Sequence, residues 1–280
     1  MTKLRVLDLF SGIGGFSLGL ERAYLEGVEY DGFETVAFCE IEDFPRRVLA
    51  RHWPGVPCYR DVRELTAARL ATDGIAVDVI TGGFPCQDIS NAGKGKGLAG
   101  ERSGLWSEIA RLADELRPEF IIVENVAALL NRGMGQVLGD LASLGYDAEW
   151  NCIPASAIGA PHIRDRVWIV AYPAEDGWEH VSCNFAHKPT ARWNHAAHQR
   201  EDIGGQLAIA RLGPRLSNWP ALIAEAFASR CGQWEREPKV VRVADGLPDE
   251  LGGVAALGNA VVPQIPELIG NAILAALAGK

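Results

Sequence analysis

None of the six cysteines, at positions 39, 58, 86, 152, 183 and 231, forms a C-x-x-C pair with another. That scatter excludes the disulfide frameworks and Cys-rich zinc modules built on paired cysteines. No apolar run approaches the roughly 20 residues that a membrane helix needs. Met1–Leu9 also lacks the apolar stretch of a signal peptide, so a cytosolic protein with no membrane association is expected. An excess of positive charge is missing too. The 27 Lys and Arg against 36 Asp and Glu leave a formal net charge of −9, which argues against nucleic-acid binding over the whole surface. The deficit is uneven. Between His180 and Pro220, five basic residues (Lys188, Arg192, Arg200, Arg211, Arg215) outnumber two acidic ones (Glu201, Asp202), and four of the six histidines lie in the same stretch.

What is present is ordinary in bulk and unusual in detail. Hydrophobic residues make up 48% and charged residues 22% of 280, enough for one large domain or one domain with a small insert. Strand-like and helix-like patterns alternate from the start. Leu4–Phe10, Thr35–Glu40, Val77–Thr81, Phe120–Val123, Ala148–Ile153 and Val167–Ala171 read as short buried strands. Glu42–His52, Ser103–Leu116 (with Ser103 as N-cap), Gly135–Leu144 and Gln264–Ala278 read as helices. This alternation predicts an α/β fold with a mostly parallel, doubly wound sheet, whose ligands collect at the carboxyl ends of the strands. After Tyr172-Pro173 the chain turns rich in Trp, His, Arg and Gly and loses its periodicity. Two units are therefore expected: 1–172 plus 245–280 as a cofactor-binding catalytic domain, and 173–244 as a small irregular one.

Each chemically unusual segment falls at the end of a predicted strand. Asp8-Leu9-Phe10-Ser11-Gly12-Ile13-Gly14-Gly15-Phe16 is a strand, a glycine turn and a helix start. Its glycines allow a tight turn and close approach of a ligand, though the spacing is not the dinucleotide fingerprint. Glu40 ends the next strand, where a carboxylate can accept hydrogen bonds from a ribose diol. Asp61 follows a third turn. Singly, such acids are more often caps or surface residues; in series behind a glycine loop they favour an adenosine-type ligand. Gly82-Gly83-Phe84-Pro85-Cys86-Gln87 is sharper, because a cysteine directly after a strand in a Gly/Pro turn sits where a nucleophile would. An ordinary thiol has a pKa of about 8.5 and needs activation by its surroundings. The following stretch, 91–104, has five glycines with Lys94, Lys96 and Arg102 between them, a composition that suits a lid closing on a polyanion. Ser90 lies at its edge.

In content and order, Asp8–Gly15, Gly83–Gln87, Glu124-Asn125-Val126, Arg164-Asp165-Arg166 and Gly258–Pro263 match a set of family motifs. The whole chain resembles the DNA cytosine-5 methyltransferases, in particular the compact bacterial and phage types. The resemblance implies the S-adenosylmethionine-dependent methyltransferase fold, with residues 173–244 as a target-recognition domain. It implies Cys86 as the nucleophile that adds to cytosine carbon 6, Glu124 as the group holding ring nitrogen 3 and the exocyclic amine, Arg166 on the carbonyl oxygen at position 2, and Arg164 fixing the pocket. Asn125 would orient the Pro-Cys turn. S-Adenosylmethionine, leaving as S-adenosylhomocysteine, would contact Phe10, Gly12, Gly14, Glu40, Ile41, Asp61, Pro85, Asn259 and Val261. Ser90, Lys94, Lys96 and Arg102 would meet DNA.

A flipped-out base is implied as well, because the attacked ring atoms are stacked inside a duplex. So are a double-stranded DNA partner, a monomer, a bacterial cytosolic location with a phage or prophage gene as one origin, and a restriction endonuclease as candidate companion. The chain departs from the family pattern at His162, where Gln is usual, and at 252–257, which lacks a basic residue. Cys183, His187, His195 and His198 have no standard zinc spacing, and no metal is expected. Two other readings stay open at this point: a transfer-RNA cytosine-5 methyltransferase, and a non-catalytic DNA-binding regulator on the same fold. Intact Cys86, Glu124 and Arg166 weigh against the regulator.

Overall fold

The computed structural model describes residues 2–25, 30–85, 103–160, 162–174, 256 and 258–278. Cys86, Ser90, Lys94, Lys96, Arg102 and nearly all of the 173–244 region lie outside them. The described chain is a seven-stranded mixed sheet with helices on both faces, an α/β fold. Its strands are β1 (Thr2–Leu9), β2 (Tyr30–Cys39), β3 (Cys58–Tyr59), β4 (Val79–Gly82), β5 (Phe120–Val126), β6 (Tyr146–Pro154) and β7 (Asp165–Pro173). They lie in the order β3-β2-β1-β4-β5-β7-β6. The five strands from β3 to β5 are parallel, and β7 runs antiparallel to both β5 and β6.

Alternate residues of the central strands feed two separate cores, which is why these strands read as continuous apolar runs rather than as alternating ones. Leu4 and Val6 of β1 join Val79, Phe120, Ile122 and Val170 on one face. There they meet α1 (Gly15–Leu20) and α7 (Gln264–Ala278), through Phe16, Leu20, Ile265, Ile269 and Ile273. Leu7 and Leu9 join Ile80, Ile121 and Val123 on the other face, under α4 (Trp106–Leu116) and α6 (Met134–Ser143). Gly270 lets α7 come close, since a methyl group there would lie 2.6 Å from Ala23 Cβ. The shorter helices α2 (Asp43–His52), α3 (Ala67–Thr72) and α5 (Leu129–Arg132) complete the crossovers.

Three sequence expectations shift. The helix expected to start at Ser103 opens instead with a 3-10 turn, Ser103–Leu105, and its N-cap is Leu105 with no side-chain cap. That turn delivers Trp106, the first α-helical residue, into the core at 1% exposure. The strand expected to end at Val123 continues to Val126, because β7 supplies an antiparallel partner out to the Val126↔Arg166 pair. The strand expected from Thr35 starts at Tyr30. At the other end of α4 the expected stop is found: Arg117 adopts a left-handed φ of 50° ahead of Pro118.

Candidate active site

The first half of the site is the glycine turn after β1. Phe10, Gly12 and Gly14 all have positive φ (54°, 53° and 85°), a conformation that only glycine adopts freely, so Phe10 is strained there. Ser11 fixes the turn: its N–H donates to the Cys39 carbonyl (3.2 Å) and its hydroxyl to the Asp8 carbonyl (2.5 Å). Gly12 then points its N–H at Glu40 Oε2 (2.8 Å), and the Glu42 N–H takes Glu40 Oε1 (2.8 Å). Each carboxylate oxygen keeps a lone pair for a ligand hydroxyl. Among the described residues a methyl group at Gly12 would meet nothing within 4 Å, so they leave the turn open on that side. Beside it Ile41 is 54% exposed, and Asp61, after β3, holds Arg63 at 2.5 Å. Arg46 joins the tips of β2 and β3 by donating to the carbonyls of Glu40 (3.0 Å) and Tyr59 (2.9 Å).

The second half lies at the tips of β4, β5 and β7. Gly83, Phe84 and the half-buried Pro85 leave β4 and are the last described residues before Cys86. Asn125 donates its Nδ2 to the Phe84 carbonyl (3.0 Å), tying that turn to β5. Glu124, one residue earlier, projects from the opposite face. It is buried, and its Oε1 pairs with Arg166 Nε at 3.0 Å. Its Oε2 lies 3.4 Å from where a Cβ on Gly83 would stand. Burial pushes the Glu124 carboxyl above its ordinary pKa, and the charges of Arg166 and Arg164 only partly offset this. A carboxyl that keeps its proton more readily can donate it to a ring nitrogen.

Arg164, at a left-handed φ of 36°, donates Nη1 to the Gly258 carbonyl (2.6 Å). The segment before α7 is thereby fastened to the loop before β7. Val261 sits over α1, its carbonyl 2.5 Å from the place of a Cβ on Gly15. Asn259 is exposed and Val261 half-buried beside it. The Gly258–Pro263 segment is thus brought to the glycine turn.

Between the two halves lies a carboxylate that the sequence reading named only as part of a motif. Asp8 is fully buried; Ser17 Oγ donates to its Oδ2 (2.8 Å) and Thr81 Oγ1 to its Oδ1 (2.9 Å). Burial raises its pKa to about 7 against these donors. It clamps α1 and β4 to the tip of β1. Its hydroxyl partners stand 9 and 73 positions away, so only the register of the folded sheet reveals them.

With this geometry in view, a family model described as C-5 cytosine-specific DNA methylase matches residues 4–210. The chain belongs to that family. Type II methyltransferase M2.BsuMI of Bacillus subtilis is 35% identical over 181 residues, which are 62% of this chain and 43% of that protein. Type II methyltransferase M.HgiBI of Herpetosiphon aurantiacus is 34% identical over 174 residues, 61% and 37% of the two chains. Among solved structures, an E. coli prophage-encoded protein described as a DNA modification methyltransferase shares 29% identity at a TM-score of 0.50, covering 61% of this chain and 47% of that one. The chain spans under half the length of the two curated relatives. A cytosine-5 methylase of this family depends on S-adenosylmethionine, and the donor set fits such a molecule: an open glycine turn, a buried carboxylate with free lone pairs at the next strand tip, and an exposed aliphatic surface at Ile41. Among the described residues no cluster of His, Cys, Asp or Glu could hold a metal ion, and no helix is long and apolar enough to cross a membrane.

Proposed function

We propose that the chain transfers a methyl group from S-adenosylmethionine to carbon 5 of a cytosine flipped out of double-stranded DNA. The observation that carries this reading is Glu124: a buried carboxyl with a raised pKa, paired with Arg166 and set against the Gly83–Pro85 turn that leads into Cys86. Cytosine carbon 5 is a weak nucleophile. Adding a thiolate at carbon 6 makes the ring an enamine whose carbon 5 can attack a methyl group. Cys86 is the thiolate in this scheme. Glu124 holds ring nitrogen 3 and gives it the proton that stabilises the adduct, and Arg166 binds the carbonyl oxygen at position 2. S-Adenosylmethionine, when bound, supplies the electrophilic methyl and leaves as S-adenosylhomocysteine. Loss of the carbon 5 proton to a base such as water, departure of the Cys86 thiolate and return of the nitrogen 3 proton to Glu124 then restore the ring. Glu40 would receive the ribose hydroxyls of the cofactor, Phe10, Gly12 and Gly14 would line its amino-acid end, and Ile41 and Asp61 its adenine, with Pro85, Asn259 and Val261 closing the pocket. Arg164 holds the Gly258 segment in place for that closure.

Residues 173–244 are proposed as the target-recognition domain on a catalytic domain of 1–172 and 245–280. Ser90, Lys94, Lys96 and Arg102 are proposed to meet the DNA backbone. A monomer, a cytosolic location, a phage or prophage gene and a companion restriction endonuclease belong to the same reading. The test is transfer of labelled methyl to duplex DNA and to transfer RNA in parallel, together with a duplex carrying 5-fluorocytosine. DNA labelling and a covalent complex through Cys86 are expected. Labelling of transfer RNA alone, or DNA methylation without any trapped complex, overturns the proposal.

A further inference from the structure

The glycine turn is closed on its outer side by a residue that no motif contains. Trp53 follows α2, where its N–H accepts the capping role by donating to the Leu49 carbonyl (2.8 Å). Its ring lies against Gly14: a Cβ there would stand 2.6 and 2.7 Å from two ring carbons, with Leu49 Cδ2 at 3.0 Å. The ring also meets Phe38 of β2 edge-on, with ring centroids 5.3 Å apart. The ring is also oriented from its polar end. Its Nε1 donates to both carboxylate oxygens of Glu21, at 3.0 and 2.9 Å. Glu21 in turn accepts the Thr35 N–H of β2 at 3.1 Å and forms the C-cap of α1.

Gly14 is the N-cap of α1 and has a left-handed φ of 85°, so its conformation is not fixed by a side chain of its own. Backbone bonds hold it at both ends, its N–H donating to the Ser11 carbonyl (2.9 Å) and its carbonyl accepting from the Leu18 N–H (2.9 Å), but without a Cβ its outer side has no packing of its own. The Trp53 ring fills that side, and Glu21 fixes the angle at which it does so. The same turn presents Gly12 to Glu40 on its open side.

We propose that Trp53, held by Glu21, is a positioning residue that presets the glycine turn for S-adenosylmethionine. The inference rests on the proposed cofactor site. Presetting the turn lowers the ordering cost of binding, so its loss weakens affinity even where the fold survives.

The experiment measures binding of S-adenosylhomocysteine by titration calorimetry, alongside thermal melting of the unliganded protein. Glu21→Ala and Trp53→Phe are each expected to weaken binding about tenfold, the size of one lost hydrogen bond to a charged group. The double variant should be no weaker than Glu21→Ala, because both substitutions break the same Trp53–Glu21 contact and only Glu21→Ala also removes the acceptor of the Thr35 N–H. Glu21→Gln, which still offers an oxygen to the Trp53 and Thr35 N–H groups, should restore most of the affinity. Asp78→Asn serves as the control for stability alone: it weakens the Arg5–Asp78 pair (2.7 Å) at the far end of the sheet. It should lower the melting temperature and leave binding unchanged. Full affinity in Glu21→Ala and Trp53→Phe overturns the inference, as does an equal loss in Asp78→Asn. Failure of the wild-type protein to bind S-adenosylhomocysteine would instead remove the proposed cofactor site itself.

Discussion

The tips of β1 and β2 and the tips of β4, β5 and β7 solve opposite problems with the same side-chain chemistry. At the first pair, the Glu40 carboxylate is surrounded by backbone N–H donors and keeps its lone pairs directed at an open turn. At the second group, Glu124 is enclosed, faces a guanidinium and is pushed toward its protonated form by burial. A carboxyl group held by backbone N–H donors, with acceptor capacity left over, suits a ligand rich in hydroxyls. An acid that holds its proton more readily than usual suits a ring that must accumulate negative charge. One half is built to bind and the other to react, and variants should separate the two functions.

The widest separation is expected from Cys86→Ala. Transfer should vanish while S-adenosylhomocysteine still binds, because none of the proposed cofactor contacts at β1 and β2 depends on the thiol. Measurable turnover in that variant would mean that the nucleophile lies elsewhere. Glu124→Gln should come next, slowing transfer by roughly 10²–10⁴-fold, the range that positioned acids and charge-stabilising groups supply. Single-turnover rates at saturating cofactor read this directly, and a loss under tenfold would place Glu124 outside the chemistry. Glu40→Ala acts on the other half. Its signature should be a rise of about tenfold in KM for S-adenosylmethionine with a smaller change in kcat, the pattern of lost uniform binding. If kcat fell and KM held, the division between a binding half and a reacting half would be wrong.

How much of this could be read before folding depends on the distance between partners. The glycine turn, Glu40 and the Pro85-Cys86 turn were legible because each is punctuation at the end of an apolar strand, written in neighbouring residues. Glu124 was legible as an acid after β5, yet its placement inside the strand was not. The extension to Val126 requires β7, and strand pairing across 40 residues leaves no local trace. Ser103 looked like a helix cap by residue type, but burial of Trp106 against Phe84, with ring centroids 5.8 Å apart, moves the helix start three residues along. Trp53 read only as the end of α2, since Trp-Pro-Gly is a common stop and Gly14 lies 39 positions earlier. The lysines and arginine proposed for DNA contact, and the four Cys and His residues of the 173–244 region, lie outside the described residues.

Asp8 sharpens the comparison from the middle of the site, with the smallest expected effect on turnover. Like Glu124 it is buried and raised, but its partners are the hydroxyls of Ser17 and Thr81 rather than a guanidinium, and Glu40 adds a like charge nearby. Its folded pKa of about 7 stands above the 3.8 of an unperturbed aspartate. The folded state therefore binds the proton more tightly than the unfolded chain does. The Asp8 contribution to stability is then greatest at the acid end, declines as pH rises from about 4, and levels off beyond about 7, a total change of about 4 kcal/mol. Asparagine cannot titrate, and every other group is common to both proteins. Urea unfolding of the wild type and of Asp8→Asn at pH 5 and pH 8 isolates the term. The wild type should lose more stability than the variant over that interval, while methyl transfer at pH 8 changes less than tenfold because Asp8 touches neither proposed ligand. An identical pH dependence in the two proteins would show that Asp8 is ionised throughout, with the two hydroxyls outweighing its burial.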